Sequence, residues 1–293
     1  MLKSVPVVDV GGAGAGAELV RALEEASSAI IVGHGVDLDL RAAMVDRSRA
    51  FFALPRAMKE DVRWPGTGAW FGWQPVHEGA PELIGTRTPD LVERFEVHEI
   101  ETFASWPDVP GFRDTWQAYY EACAALASRL ITLVATELDL PADELPAWTD
   151  RQFANLVANH YLPQPEPPLP GQTRVGAHTD RGGVTILAAD EAPGGLEVRL
   201  AGREWMPVVI PPDAYVLQAG DLLARWSDRR IPANVHRVVN PPRAVAATAS
   251  RLALVYFHYP ALDTVVNGLE CREHLLRRQE AYKVRVDEEY AIP

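Results

Sequence analysis

After Arg151 the chain breaks into short β-branched runs, VTILAA, LEVRL, WMPVVI, AYVLQAG, HRVVN and RLALVYFHY, separated at roughly ten-residue intervals by Gly, Pro, Asp and Asn turns. Each run is too short for a stable helix and rich in side chains that pack well on a pleated surface. Regular short strands of this kind predict a sandwich or barrel. The Pro-rich LPQPEPPLPGQ between two of the runs is too short for an interdomain linker, and no repeat of fixed period is present. A chain of 293 residues then reads as one unit.

The first third is mixed. VPVVDV is a strand, the Gly/Ala-rich turn after it leads into the helix AELVRALEEASS, AIIVGHGV is a second strand, and LRAAMVDRSRAFFALP is an amphipathic helix stopped before Pro55. From Trp64 to about Asp90 the chain is rich in glycine and carries Trp70, Phe71, Trp73 and Gln74. This segment is expected to form a lid or pocket wall whose aromatics and Gln74 contact substrate. Trp116, Tyr119, Tyr120, Cys123, Leu126, Leu130, Ile131 and Val134 fall three or four apart, so one long helix is expected between Phe112 and Leu138.

The net charge of −12, without any basic run, excludes a phosphate backbone as a partner. Two cysteines, Cys123 and Cys271, do not make a disulfide framework, and a reducing cytoplasm fits. No cleavable leader and no membrane-spanning apolar run are read.

In GAHTDRGGVTIL, His178 and Asp180 stand one residue apart, so on an extended strand they leave the same face and can share an ion. The pair needs a third ligand. His236 in ANVHRVVN, 56 positions after Asp180, can return beside it across several short strands. Two imidazoles and a carboxylate form a facial set that leaves positions open for iron(II) oxygen chemistry. Zinc in a hydrolytic site is the other metal such a set can hold, and spacing alone does not separate the two. Asp190 and Glu191, the acidic pair nearby, read as turn residues.

Taken in order, VPVVDV, VGHGV, FFALP, LVERFEV, NHY, AHTD, GGLEV, Trp205 with its following strand, AGDLL, WSD, HRV and SRLALVYFHYP resemble the isopenicillin N synthase-like family of iron(II) and 2-oxoglutarate dependent dioxygenases. The resemblance covers most of the chain. It implies a mainly β fold with α, a distorted jelly-roll or double-stranded β-helix with helices packed outside. The single oxygenase unit over 1–293 would comprise an amino-terminal α/β segment, 1–110, and a metal-binding core, 151–265. By the same resemblance His178, Asp180 and His236 are the catalytic iron ligands. Arg251 holds the distal carboxylate of 2-oxoglutarate, with Tyr161 and Asn159 beside it, and O2 is the oxidant. A planar, permanently charged guanidinium suits a carboxylate.

Where the family has Arg-x-Ser, this chain has Ala253. The hydroxyl is therefore supplied elsewhere, or co-substrate binding differs, which keeps a 2-oxoglutarate-independent oxidase of the isopenicillin N synthase type as an alternative. A zinc hydrolase and a non-catalytic binding protein on the same fold are the readings outside the class. The expected activity is oxidation of a C–H bond of a small molecule, by hydroxylation, desaturation or cyclisation, in antibiotic or other specialised metabolism. An amino-acid or peptide derivative is the favoured substrate, and a monomer or weak homo-oligomer is expected. His34 reads as structural, His160 points away from Asn159 and Tyr161, and Asp221 and Asp228 fix turns.

Overall fold

Two sheets face each other in the computed structural model, which describes residues 4–63, 71–76, 90–98, 100, 103–199 and 204–278. In chain order the elements are β1 (Val7–Asp9), α1 (Ala15–Ala26), β2 (Ser28–Val32), α2 (Leu38–Phe52), α3 (Arg56–Glu60), β3 (Gly72–Gln74), β4 (Glu93–His98) and α4 (Phe112–Glu137). There follow α5 (Leu145–Thr149), β5 (Phe153–Tyr161), β6 (Val175–His178), β7 (Val184–Ala189), β8 (Leu196–Arg199), β9 (Met206–Pro207), β10 (Tyr215–Ala219), α6 (Asp221–Trp226), β11 (Val235–Val238) and β12 (Arg251–Tyr259). Residues 271–278 form a closing helical stretch.

The larger sheet runs β1-β2-β10-β7-β12-β5-β4-β3 and the smaller β6-β11-β8-β9. All pairings are antiparallel except β1 with β2. Strands from the first part of the chain thus extend both edges of the large sheet, β2 against β10 and β4 against β5. With helices outside, this is the mainly β jelly-roll arrangement that the sequence predicts.

Alternation along the strands divides the interior in two. Leu252, Leu254 and Tyr256 of β12, with Leu156 and Ala158 of β5, pack outward against Leu19, Leu23, Phe51, Trp116 and Leu130 of the helices. Ala253 and Val255, with Val157 and Tyr161, turn inward to meet Val175, Leu196 and Val238 of the small sheet. Each large side chain buried in these layers contributes about 1.5–3 kcal/mol of transfer free energy. The long helix runs as its spacing predicts, and the chain leaves it through Asp139 at φ 54. Of WMPVVI only Met206 and Pro207 are in a strand, and AGDLLARW, read as a turn, begins a helix at Asp221. No helix among the described residues is long and apolar enough to cross a membrane.

His258 of β12 is fully buried on the outward side, with Nε2 donating to the Trp148 carbonyl at 2.7 Å. Burial pushes its pKa down to about 4, although that hydrogen bond pulls the other way. The unfolded chain therefore takes up a proton near pH 6.5 that the folded chain refuses until about pH 4. Stability is highest above the unfolded value and falls as pH drops through this window. Chemical denaturation of metal-free protein at pH 7.5, 6 and 5 is expected to show His258→Gln with a shallower acid-side slope than wild type, by up to about 1.4 kcal/mol per pH unit.

Candidate metal centre and substrate cavity

The metal candidates are brought together by strand pairing. β6 and β11 are neighbours in the small sheet, and His178 stands directly opposite His236 in their register. The ring centroids are 4.2 Å apart at 54°. His178 Nδ1 lies 2.8 Å from the Gly176 carbonyl and His236 Nδ1 3.3 Å from that of Asn234. A ring nitrogen facing a carbonyl must carry the proton, so each Nε2 keeps its lone pair free, as a metal ligand requires. Burial, reinforced by the neighbouring His178, pushes the His236 pKa down to about 4 against the pull of Asp180. The ring is neutral at physiological pH.

Asp180 does not lie in the strand, because β6 ends at His178. It occupies the turn that follows, and Asp180 Oδ1 still approaches both imidazoles, 3.6 Å from His178 Nε2 and 3.8 Å from His236 Nε2. One donor atom from each of the three residues lies within 4.8 Å of the other two. The turn is pinned by backbone: Asp221 N–H donates to the Asp180 carbonyl, Gly183 N–H to His258 and Gly220 N–H to Gly183, each at 2.8 Å. Such close approach needs glycine. A Cβ on Gly182 would stand 2.2 Å from the His258 carbonyl oxygen, and one on Gly220 2.3 Å from that of Gly182. The second carboxylate oxygen of Asp180 accepts from Thr185 Oγ1 at 2.5 Å, which fixes the direction of Oδ1.

Beside the centre a cavity of about 540 Å³ opens between the sheets. Tyr161, Asn159, Gln74 and the three metal candidates line it. The guanidiniums of Arg251 and Arg174 each lie over the Tyr161 ring, 5.4 Å from its centroid. Arg174, wholly buried, donates to the carbonyls of Pro193, Gly194 and Ala249, and burial pushes its pKa down to about 10. Arg251 is 4% exposed and does not line the cavity; Tyr161 is its one partner among the described residues, and no carboxylate answers its charge. Asn159 turns its carbonyl to Arg94 Nε at 3.0 Å, and Arg94 also bonds Asp90, which accepts from the Gly176 N–H. Arg251 and Ala253 share the inward side of β12, with Ala253 opposite Asn159.

Of the aromatic segment, Trp70 lies outside the described residues. Phe71 meets Phe103 edge-on, and Trp73 donates to Glu93 beneath Lys59, so neither lines the cavity. His160 bonds Glu93 and Ser250 and stacks on Phe52, turned from the cavity. His34 bridges the Val36 N–H and the Asp213 carbonyl. Asp228 has φ 47, as a turn residue can, whereas Asp221 opens α6 and faces His274 and Arg278. Reading the sequence did not single out Thr185, Arg174, Arg94, Glu96, His98 or Asn155. A period-two signal was present in ERFEVH and FANLVANHY, but polar residues on one face of a strand ordinarily mean solvent.

Two imidazoles and one carboxylate between the sheets of a jelly-roll define a non-haem metal centre of the two-histidine, one-carboxylate kind. Comparison with known proteins narrows the class. Residues 152–260 match the 2OG-Fe(II) oxygenase superfamily model, and 5–114 match the model of the amino-terminal region of non-haem dioxygenases in morphine synthesis. The chain is similar to a 2-oxoglutarate-dependent dioxygenase of Aspergillus rugulosus, 31% identical over 77% of this chain and 76% of that one, and to one of Aspergillus niger, 30% identical over 80% and 74%. Among solved structures, a full-length Neurospora crassa protein in complex with alpha-KG and 5-formyluracil superposes with TM-score 0.81 at 25% identity, covering 94% of this chain and 96% of that one. A dioxygenase for auxin oxidation in rice does so with TM-score 0.76 at 26% identity, covering 95% and 96%. The chain belongs to the 2OG-Fe(II) oxygenase superfamily, and it is an enzyme dependent on iron(II) and 2-oxoglutarate.

The Thr185 contact gives a prediction. Thr185→Val keeps the shape but removes the hydroxyl that orients Asp180, and loss of such an outer partner lowers metal affinity by about 10–100-fold. Competition with a chelator of known affinity is expected to show that loss, with the melting curve of the metal-free protein little changed.

Proposed function

We propose that His178, Asp180 and His236 hold the iron, that Arg251 with Tyr161 holds 2-oxoglutarate, and that the cavity admits a small molecule for oxidation at a C–H bond. The observation that carries this reading is the convergence of two imidazole Nε2 atoms and Asp180 Oδ1 within 4.8 Å, with each Nδ1 turned to a backbone carbonyl. The donor set suits iron(II), and the buried Arg251 charge, which no carboxylate among the described residues answers, suits a carboxylate. When bound, iron with 2-oxoglutarate and O2 supplies the oxidising power.

The chain's own residues bind, orient and exclude water. Thr185 and the glycine turn fix Asp180, the Gly176 and Asn234 carbonyls fix the imidazole tautomers, and Arg174 braces Tyr161 beneath the co-substrate. Asn159 acts at one remove by aiming Arg94. The closing stretch brings Leu275 and Leu276 to the cavity and is tied to the metal turn by His274 and Arg278, which bond the carbonyls of Arg181 and Thr179.

The domain reading is one unit over 1–293, in which 1–110 completes the large sheet around the 151–265 core; edge pairing of β2 and β4 supports it. The enzyme is read as cytoplasmic, which two free, buried cysteines support, and as a monomer or weak homo-oligomer. A role in specialised metabolism is supported by similarity to a flavanone 3-dioxygenase of Petroselinum crispum, 29% identical over 87% of this chain and 68% of that one.

Anaerobic titration of 2-oxoglutarate into iron-loaded protein tests the co-substrate site. Arg251→Gln truncates a buried charge pair, which costs about 2–5 kcal/mol, so the dissociation constant is expected to rise by more than about 30-fold. Ala253→Ser adds a hydroxyl beside Arg251 and is expected to tighten binding. Unchanged affinity in Arg251→Gln would place the anchor elsewhere, and full turnover without 2-oxoglutarate or succinate formation would favour the oxidase alternative.

A further inference from the structure

The wall of the cavity built by β3, β4 and β5 carries a polar group that the metal centre and the co-substrate site do not use. Its middle is Glu96, a carboxylate with 11% of its side chain exposed, lining the cavity. Glu96 Oε1 accepts from Asn155 Nδ2 and faces His98 Nε2, both at 2.8 Å, and Oε2 accepts from Gln74 Nε2 at 3.3 Å. Burial opposes ionisation of this carboxyl, but the His98 contact and the Asn155 bond outweigh it and hold its pKa below the usual range.

An ionised carboxylate can only accept, so it dictates how its neighbours turn. Both amides must point their NH2 groups at Glu96, and their carbonyl oxygens face elsewhere. Gln74 and Asn155 line the cavity, are 2% and 7% exposed, and each has its carbonyl oxygen buried and without a partner among the described residues. Glu96 Oε2 has a single long hydrogen bond and capacity for another. The wall therefore offers spare acceptor capacity on the carboxylate and on two amide carbonyls, beside the second N–H that each amide NH2 retains. A buried network left half satisfied weakens a fold, so a purely structural role is poorly served by it. His98 touches Glu96 through Nε2 and lines the cavity with it, and the arginines of the lining are Arg94, already matched by Asp90 at 3.1 Å, Arg181 and Arg272. Phe153, Phe257 and Leu275 supply apolar surface in the same cavity.

Resting on the oxygenase reading of this cavity, we propose that Glu96, Gln74 and Asn155 form the specificity site for a substrate whose polar end is a protonated amine or guanidine, carried on an apolar body whose C–H bond is oxidised. Several N–H donors on one cationic group match one carboxylate and two amide carbonyls, and charge-assisted bonds of this kind are the strong ones.

The test is anaerobic calorimetry of protein loaded with iron and 2-oxoglutarate, using hexylamine, hexylguanidine, hexanamide, hexanol and hexanoate as probes. The amine and guanidine are expected to bind roughly tenfold or more tightly than the amide and alcohol, with hexanoate weakest. Glu96→Gln keeps the size of the side chain and is expected to abolish that ranking while still taking up 2-oxoglutarate. Gln74→Met, which retains the carboxylate, is expected to weaken the amine less. Binding of hexanoate as tight as that of hexylamine, an unchanged ranking in Glu96→Gln, or no binding by any probe would overturn the assignment. The charge-transfer band of the iron and 2-oxoglutarate complex, read in the same samples, separates that failure from failure of the oxygenase reading, because only the latter removes the band.

Discussion

The arrangement depends on the pairing of β6 with β11, which sets His178 opposite His236. A histidine on each of two adjacent strands would be a weak site if the strands could slip, since a one-residue shift turns a side chain to the other face. Here the register is fixed on both sides. β11 also pairs with β8 from Val235 to Val238, and Val175, Leu196 and Val238 are buried against the large sheet. The cost of exposing that apolar face holds the two imidazoles in place.

Asp180 is placed by a different mechanism, a turn in which Gly182, with Gly220 packed against it, lets backbone pack on backbone. The same turn contacts β12 through His258, α6 through Asp221 and Leu222, and the closing stretch through Thr179 and Arg181. The carboxylate ligand thus sits where four parts of the chain meet. The charges behind Tyr161 are arranged differently: both terminal nitrogens of Arg174 donate to carbonyls and Arg94 is matched by Asp90, whereas Arg251 has no carboxylate partner among the described residues.

The sequence was legible wherever one period and one partner decided the outcome. The near-continuous apolar run RLALVYFHY marks a strand with two buried faces, and the three-to-four spacing from Trp116 to Val134 marks the long helix. The ligand set was legible because few residue types bind metal and their order matched a known family. The cavity wall was not. In ERFEVH, Arg94, Glu96 and His98 alternate with Phe95 and Val97 as they would on a strand facing water, and only pairing of β4 with β5 shows that this face looks into the protein. Trp73 and Gln74 make the same point, because adjacent residues on a strand face opposite ways and only one can reach the cavity. AGDLLARW was too short for periodicity to separate a turn from a helix.

The central claim is that His178, Asp180 and His236 together hold the iron. X-ray absorption of anaerobically iron-loaded protein tests it most directly, since imidazole rings leave a distinct multiple-scattering signature. Wild type is predicted to show two imidazoles with the remaining ligands oxygen, and His236→Ala to show one imidazole with weakened iron retention. Two imidazoles retained at full iron occupancy in His236→Ala, or sulfur bound to iron in wild type, would contradict the account.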